Sequence, residues 1–299
     1  MAQPRPARSL PLASLPPRTV PWSLHLSALF GGFFNQFGWL FFGFGMVFFW
    51  VFGANADLSG PLFAFTPVDT APGLVLGVEG TSFSEGGDGN SVPVFRIRFA
   101  YNARGRSLEG VAYATGYAPE KGARITVEIL RWHPTVARLA GTRRAAFPAL
   151  ALLVVMFPLV GLGFLVPGVR DGLKATRLLR LGRLTTGKLI SREVTNMSIN
   201  HQPVMKLTFE FTAHDGSTSQ GIAKTHQPQA LEDEAEEPLL CDPADPSTAV
   251  LLDSVAGSPR LDPAGQYEPR PMSKVIPLLI VPLLSIVGHT GYLLLSLLR

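Results

Sequence analysis

The sequence predicts a membrane protein of mixed α and β structure, with three transmembrane helices and two small all-β domains, barrels or sandwiches, in the loops between them. Three observations carry this prediction: long stretches without charge, a fragment repeated at a fixed offset, and an alternating apolar pattern inside each repeat. Of 299 residues, 46% are hydrophobic and only 16% charged, against about 25% charged in an average soluble domain. A lipid bilayer is the partner that accommodates such an excess. The formal net charge is only +4, and the arginines are scattered instead of forming a basic stripe interleaved with aromatics, which argues against nucleic acid as a partner. Cys241 is the single cysteine, so neither an intrachain disulfide nor a cysteine-based zinc site can form.

The charge-free stretches define the helices. No Asp, Glu, Lys or Arg lies between Arg18 and Asp57, between Arg144 and Arg170, or between Lys274 and Arg299. Within them the apolar segments 24–52, 147–166 and 275–298 meet the roughly 20 residues needed to cross a hydrocarbon core about 30 Å thick. Pro158, Pro277 and Pro282 fall inside these segments, where a transmembrane helix tolerates them because neighbours can satisfy the freed carbonyls. Residues 1–22 read as a Pro-rich, basic, disordered tail, and the first apolar run is too long for the core of a cleaved signal peptide. Trp22 and Trp50 sit near the ends of the first span, where indoles favour the interface.

Orientation follows from the positive flanks. Arg5, Arg8 and Arg18 precede the first span, Arg170, Lys174, Arg177, Arg180, Arg183 and Lys188 follow the second, and Arg260, Arg270 and Lys274 precede the third. Three crossings put all of these on one side, predicted to be the cytoplasmic side of a bacterial inner membrane with the N-terminus inside. Arg138, Arg143 and Arg144 oppose this, but they close a long loop, and long loops translocate whatever their charge. The segment from Arg170 to Arg183, basic with Leu173, Leu178, Leu179 and Leu181 between, suits either a helix resting on anionic lipid or a simple positive flank.

The two loops share a repeat. Gly77, Pro93, Val94, Ile97, Phe99, Tyr101 and Ala103 recur as Gly187, Pro203, Val204, Leu207, Phe209, Phe211 and Ala213, an offset of 110. Gly105 and Gly110 then answer to Gly216 and Gly221, and Pro134, Ala137 and Leu139 to Pro246, Ala249 and Leu251, through one further inserted residue each time. Period-two alternation in Phe95-Arg96-Ile97-Arg98-Phe99-Ala100-Tyr101 and in Met205-Lys206-Leu207-Thr208-Phe209-Glu210-Phe211 marks half-buried strands, and Gly105 and Asp215-Gly216 mark the hairpin turns after them. Each copy is expected to hold about five strands, over 73–141 and 183–268. A glycine before a strand, an aromatic-rich strand, a glycine turn and an Asp-Pro-x-Asp-Pro ending, here Asp242-Pro243-Ala244-Asp245-Pro246, together resemble the domain of unknown function 3592. The first copy keeps only Arg131-Trp132-His133-Pro134 at that ending. The resemblance implies membrane association and no known reaction.

Candidate chemistry is sparse. Asp242 and Asp245 fit a ligand or metal site, but Asp-Pro pairs more often initiate turns. His201, His214 and His226 are too far apart for zinc-site spacings, and His133 reads as a turn residue. Gly86 to Asn90 lacks the Lys-Ser or Lys-Thr of a phosphate loop, and the acidic run Glu232, Asp233, Glu234, Glu236 and Glu237 reads as a solvated loop. No nucleophile elbow is present, and Cys241 falls in a strand pattern. In the spans, Asn35, Gln36 and His289 are polar where burial in lipid is costly. They suit either a proton or ion path or hydrogen bonding between helices packed through glycines, the latter being also a means of self-association or partner binding. No cofactor is implied. The expected function is non-catalytic binding or scaffolding in the cell envelope, with the β domains on opposite sides of the membrane. A transport or channel subunit is the alternative, and a membrane-bound enzyme the third reading.

Overall fold

The structure is a computed structural model that describes residues 16–86, 91–199, 201–232 and 235–298. Most of the N-terminal tail, the tip of the glycine-rich segment at 87–90, and Asp233 and Glu234 of the acidic run lie outside the described residues. The chain is α plus β, with three helices long and apolar enough to cross a membrane and two five-stranded antiparallel sheets. It divides into two units, Met1–Gly43 with Leu159–Arg299, and Phe44–Pro158, and each is described by itself.

The first apolar stretch is not one helix. It is α1 (Trp22–Phe30) followed by α2 (Phe33–Val51), with Gly31 extended and Gly32 at φ 82° between them. A left-handed φ costs a residue with a side chain about 1–2 kcal/mol, so the glycine pair locates the break. Leu24 and Ala28 of α1 are 1% and 2% exposed, packed against Ala175, Leu178, Leu179, Leu240, Leu252, Val255 and Tyr267. Residues 24–30 are thus apolar because they enter a protein core, a requirement that hydropathy does not distinguish from lipid. The segment long enough to cross is Phe33–Asn55.

The second stretch also differs from the expected 147–166. A 3-10 segment Ala149–Val155 leads into α4 (Met156–Leu181), which runs a full 15 residues past Val166 and through the basic flank. Leu178 and Leu179 face the α1 core at 1% and 0% exposure, whereas Leu173, Lys174 and Arg177 face outward. Only one face of this extension is therefore free to meet anything else. The third helix, α5 (Met272–Leu297), matches its expected position. A short helix α3 (Gly60–Phe65) follows α2.

Glycines set the helix packing. A Cβ on Gly38 of α2 would lie 2.6 Å from the Leu165 backbone nitrogen of α4, and one on Gly168 of α4 would lie 2.6 Å from the Asn35 nitrogen. Backbones in such contact need residues without side chains, as transmembrane helix pairs commonly have. In the Phe44–Pro158 unit, a Cβ on Gly45 would lie the same 2.6 Å from the Pro158 nitrogen.

The first sheet contains β1 (Val68–Glu85), β2 (Val92–Ala103), β3 (Arg106–Thr115), β4 (Arg124–Leu130) and β5 (Ala137–Leu139) in the order β3-β2-β1-β4-β5. The second contains β6 (Arg183–Ile199), β7 (Gln202–Thr212), β8 (Thr218–Thr225), β9 (Glu237–Cys241) and β10 (Ala249–Leu251) in the equivalent order, β10-β9-β6-β7-β8. Each is a single sheet curled until its edge strands approach, β3 to β5 and β8 to β10, in place of a two-sheet sandwich. Alternation puts Ile97, Phe99 and Tyr101 with Val127, Ile129, Ala137 and Leu139 in one core, and Leu207, Phe209 and Phe211 with Leu239, Cys241, Ala249 and Leu251 in the other. The β2–β3 turn uses Arg104 and Gly105, both at positive φ, and the β7–β8 turn uses Gly216 at φ 82°.

The pairing registers correct one element of the repeat. Gly73 opposes Tyr101, as Gly187 opposes Phe211, and the bulges after Val75 and Leu189 coincide. The counterpart of Gly187 is therefore Gly73 and not Gly77, because the β6–β7 hairpin, closing at Ile199 and Gln202, is four residues shorter than the β1–β2 hairpin closing at Glu85 and Val92. Packing agrees. A Cβ on Gly73 would lie 2.5 Å from Val127 Cγ2 and 3.0 Å from the Ala100 oxygen, whereas one on Gly77 meets nothing within 4 Å. Gly73→Val is expected to cost about 1–3 kcal/mol through overpacking, and Gly77→Val to stay within about 0.5 kcal/mol of the parent. Denaturant unfolding of the two variants checks this, and equal effects would refute the register.

Candidate functional site

The break between α1 and α2 leaves carbonyls at the end of α1 without helical partners. Asn35 Nδ2 donates to the Leu29 oxygen at 2.9 Å, and Gln36 Nε2 donates to the Phe30 oxygen at 2.7 Å. Gln36 Nε2 also donates to the Leu278 oxygen of α5 at 3.0 Å. Leu278 is four residues before Pro282, which has no N–H to offer, so its carbonyl is the one the proline frees. One side chain thus serves both irregularities. Asn35 is 1% exposed, and the two polar residues act as caps for backbone that the helices cannot satisfy themselves.

His289 lies elsewhere on α5. Its Nε2 donates to the Gly43 oxygen of α2 at 3.0 Å, which puts the ring hydrogen on Nε2, since a carbonyl only accepts. Ser285, one turn earlier and 6% exposed, sits against Gly43, and the Phe42 ring meets the imidazole edge-on at 6.4 Å between centroids. The helices bring Asn35, Gln36 and His289 into one bundle, each bonded to a main-chain carbonyl of another segment.

Asp242 and Asp245 are brought together in a turn. Asp242 Oδ1 accepts from the Ala244 N–H at 3.0 Å, and the Asp245 N–H donates to the Asp242 oxygen at 3.2 Å. Asp245 accepts from the Ser247 N–H and hydroxyl and, through Oδ2, from the Thr248 hydroxyl at 2.8 Å. The Ser247 hydroxyl, with Thr248 and the Ser247 N–H, holds the Asp245 carboxyl below its ordinary value. Asp242 Oδ2 pairs with Arg177 at 2.7 Å. Among the described residues no group of three His, Cys, Asp or Glu is arranged to hold a metal ion. Glu232 pairs with Arg192, and Glu236 accepts from the Thr186 hydroxyl at 2.6 Å. Cys241 lies in β9, and burial pushes its thiol above the usual value, the reverse of the shift a nucleophile needs.

Two polar sites escaped the sequence reading. Asp57, 3% exposed, accepts from the Ser59 N–H at 2.9 Å and hydroxyl at 2.5 Å, and from the Arg144 N–H at 2.9 Å. Its signal is an Asp-x-Ser turn placed where the charge-free run ends. Arg18 is 7% exposed, its Nη1 donating to the Gly182 oxygen at 2.5 Å and its N–H to the Arg180 oxygen at 2.8 Å. Burial lowers the Arg18 guanidinium and raises the Tyr267 phenol beside it, each opposed by the other. No sequence pattern marks that pair. Two open depressions, one beside Thr70, Pro72 and Arg124 and one beside Asp57, Leu62 and Arg144, lie on the Phe44–Pro158 unit, and neither encloses a set of converging polar groups.

No family model, no curated protein and no solved structure matches the chain. Fold and polar groups define its class as an α-plus-β protein with three helices apolar enough to span a membrane.

Gln36→Leu, which leaves two carbonyls without their donor, is expected to cost about 0.6–2 kcal/mol, read as a lower unfolding temperature in detergent or nanodiscs. An unchanged midpoint would contradict the capping role. Burial alone would raise the Asp57 carboxyl, but the bonds from Ser59 and Arg144 outweigh it and hold the pKa below its ordinary value. Asp57 then contributes fully above about pH 4 and loses its contribution as pH falls through the depressed folded value. Asp57→Ala, leaving donors unmatched, is expected to cost about 1–3 kcal/mol at neutral pH, with the deficit shrinking as the medium is acidified. A deficit that grows with acidification would reverse the sign.

Proposed function

We propose that this protein is a multi-pass membrane protein of the bacterial cell envelope, with a cytoplasmic N-terminus, that acts by non-catalytic binding or scaffolding through one β domain on each side of the inner membrane. The observation that carries the reading is the engagement of the polar groups. Asn35, Gln36 and His289 each bond a backbone carbonyl, and Asp242 and Asp245 bond their own turn. What distinguishes the chain is then its duplicated sheet with equivalent cores, and an exposed sheet edge is a surface to which a partner can add a strand.

Membrane insertion is supported by the exposed apolar faces of the helices. Leu40, Phe44 and Val47 of α2, Leu159 and Val166 of α4, and Leu283, Leu284 and Val287 of α5 are exposed, an arrangement water penalises and lipid favours. Sidedness is supported by packing around the second sheet. Arg18, the basic end of α4 and the start of α5 gather there, with the Arg270 N–H donating to the Ser23 hydroxyl at 2.9 Å. Arg18, the end of α4 and Arg270, which charge counting assigns to one side, belong to one packed region. Arg138 and Arg143, which oppose that assignment, are ion-paired within the first domain to Glu128 at 2.7 Å and Glu85 at 2.6 Å.

Reporter fusions after Gly89 and after Ala235 are expected to give opposite compartments, the second cytoplasmic, and matching answers would overturn the topology. In liposomes the purified protein is expected to leave proton and ion permeability at the protein-free level. A flux abolished by His289→Leu would replace scaffolding with transport.

A further inference from the structure

The chain leaves the end of the first candidate span in an unusual way. The apolar helix ends at Asn55, whose Nδ2 donates to the Trp50 and Val51 oxygens at 3.2 and 3.0 Å. Asp57 follows, fixed by Ser59 and by its own N–H donating to the Phe147 oxygen at 2.8 Å. Phe147 is also where the apolar run leading into the next span begins. The ends of both runs in this unit are thereby tied at one point.

From that point α3 starts only three residues on, with Pro61 in its first turn. Leu62 and Phe65 fall at i and i+3, one helix face, and are 37% and 88% exposed, and Leu58, in the turn just before the helix, is 65% exposed. The opposite side of α3 is anchored. Phe63 is 6% exposed and the Arg138 guanidinium carbon lies 4.4 Å from its ring centroid. This is a rigidly held apolar face, not a loose loop. Its covering is identified by position. Three residues reach at most about 10 Å, while the headgroup region extends roughly 5–8 Å beyond the hydrocarbon, and interfacial helices bury their apolar face about 5–10 Å into that layer. The exposed face is also continuous along the chain with the exposed Phe44, Val47 and Val51 of α2.

We infer that α3 lies on the membrane surface, its Leu62 and Phe65 face inserted among the lipid headgroups together with Leu58 of the preceding turn, and that it seats the first β domain on the bilayer. The inference rests on the membrane reading above. It gives that domain a fixed height and tilt, so whatever it binds is met close to the lipid.

The test uses the full-length protein with Cys241→Ala, reconstituted in nanodiscs of phosphatidylcholine and phosphatidylglycerol, with an environment-sensitive nitrobenzoxadiazole label at single introduced cysteines. Leu62→Cys and Phe65→Cys are the reporting variants, Val47→Cys is the control in the span, and Lys121→Cys is the control in water. The expected result is blue-shifted emission at 62 and 65, quenched several-fold by lipids carrying a nitroxide near the headgroup, with no quenching at 121. Water-like emission at 65 alongside quenching at 47 would overturn the inference and leave the membrane reading intact. Blue-shifted emission at 65 that lipid nitroxides do not quench would mean that protein covers the face, and would overturn it too. Absence of lipid quenching at 47 would remove the membrane reading and the inference together.

Discussion

A backbone carbonyl surrounded by apolar groups must find its donor within the protein, and this constraint organises the helical part of the chain. A straight helix meets it automatically. Prolines stand inside α4 at Pro167 and inside α5 at Pro277 and Pro282, and the first apolar run breaks at Gly31–Gly32; Gln36 supplies the donor for two of these departures, the break and Pro282, through the Phe30 and Leu278 oxygens. Because the break is satisfied, α1 is free to turn away from α2 and bury Leu24 and Ala28 against the second sheet and the end of α4. Because the proline is satisfied, α5 runs unbroken from Met272 to Leu297 with its Ser285 and His289 side against Gly43. The glycines at 38 and 168 then let the α4 backbone close on α2, near enough that few side chains are needed between them.

How far this was legible in the sequence depends on which physical signal each element leaves. Charge-free runs announce helices, and period-two alternation with Gly105 and Gly216 turns announces both hairpins, since both patterns follow from burial on one side. Hydropathy is silent on what does the burying. Leu24 in a protein core and Phe44 on an exposed helix face read alike, so the break at Gly31–Gly32 was not legible. Glycine spacing misleads in β1, because the matching hairpins differ by four residues and only the pairing register, with the packing of Gly73 on Val127, decides between two glycines. In the site, Asn35, Gln36 and His289 stood out as polar residues in apolar runs. Their acceptors did not, although Leu278 was deducible as the carbonyl freed by Pro282. Arg18 beside Tyr267, far apart in sequence, left no signal at all.

The duplicated domains diverge where each meets its surroundings more than in their cores. Core positions exchange like for like, Phe99 for Phe209, Ala112 for Ala223, Leu139 for Leu251, as a conserved curl of the sheet demands. At the end of the fourth strand the exchange is of kind. Leu130, fully buried, gives way to Asp242, whose carboxylate takes Arg177 of α4 and starts the Asp-Pro turn. In the next turn the Tyr101 hydroxyl donates to the Pro134 oxygen at 2.8 Å, while Phe211 in the equivalent place has no hydroxyl. A carboxylate replacing a buried leucine would cost several kcal/mol in a closed apolar core; here it faces a basic helix instead. The second domain has therefore been fitted to the charged extension of α4, and the first to the α3 segment at Phe63. Two copies of one sheet thus keep a common core and differ where each meets its own helix.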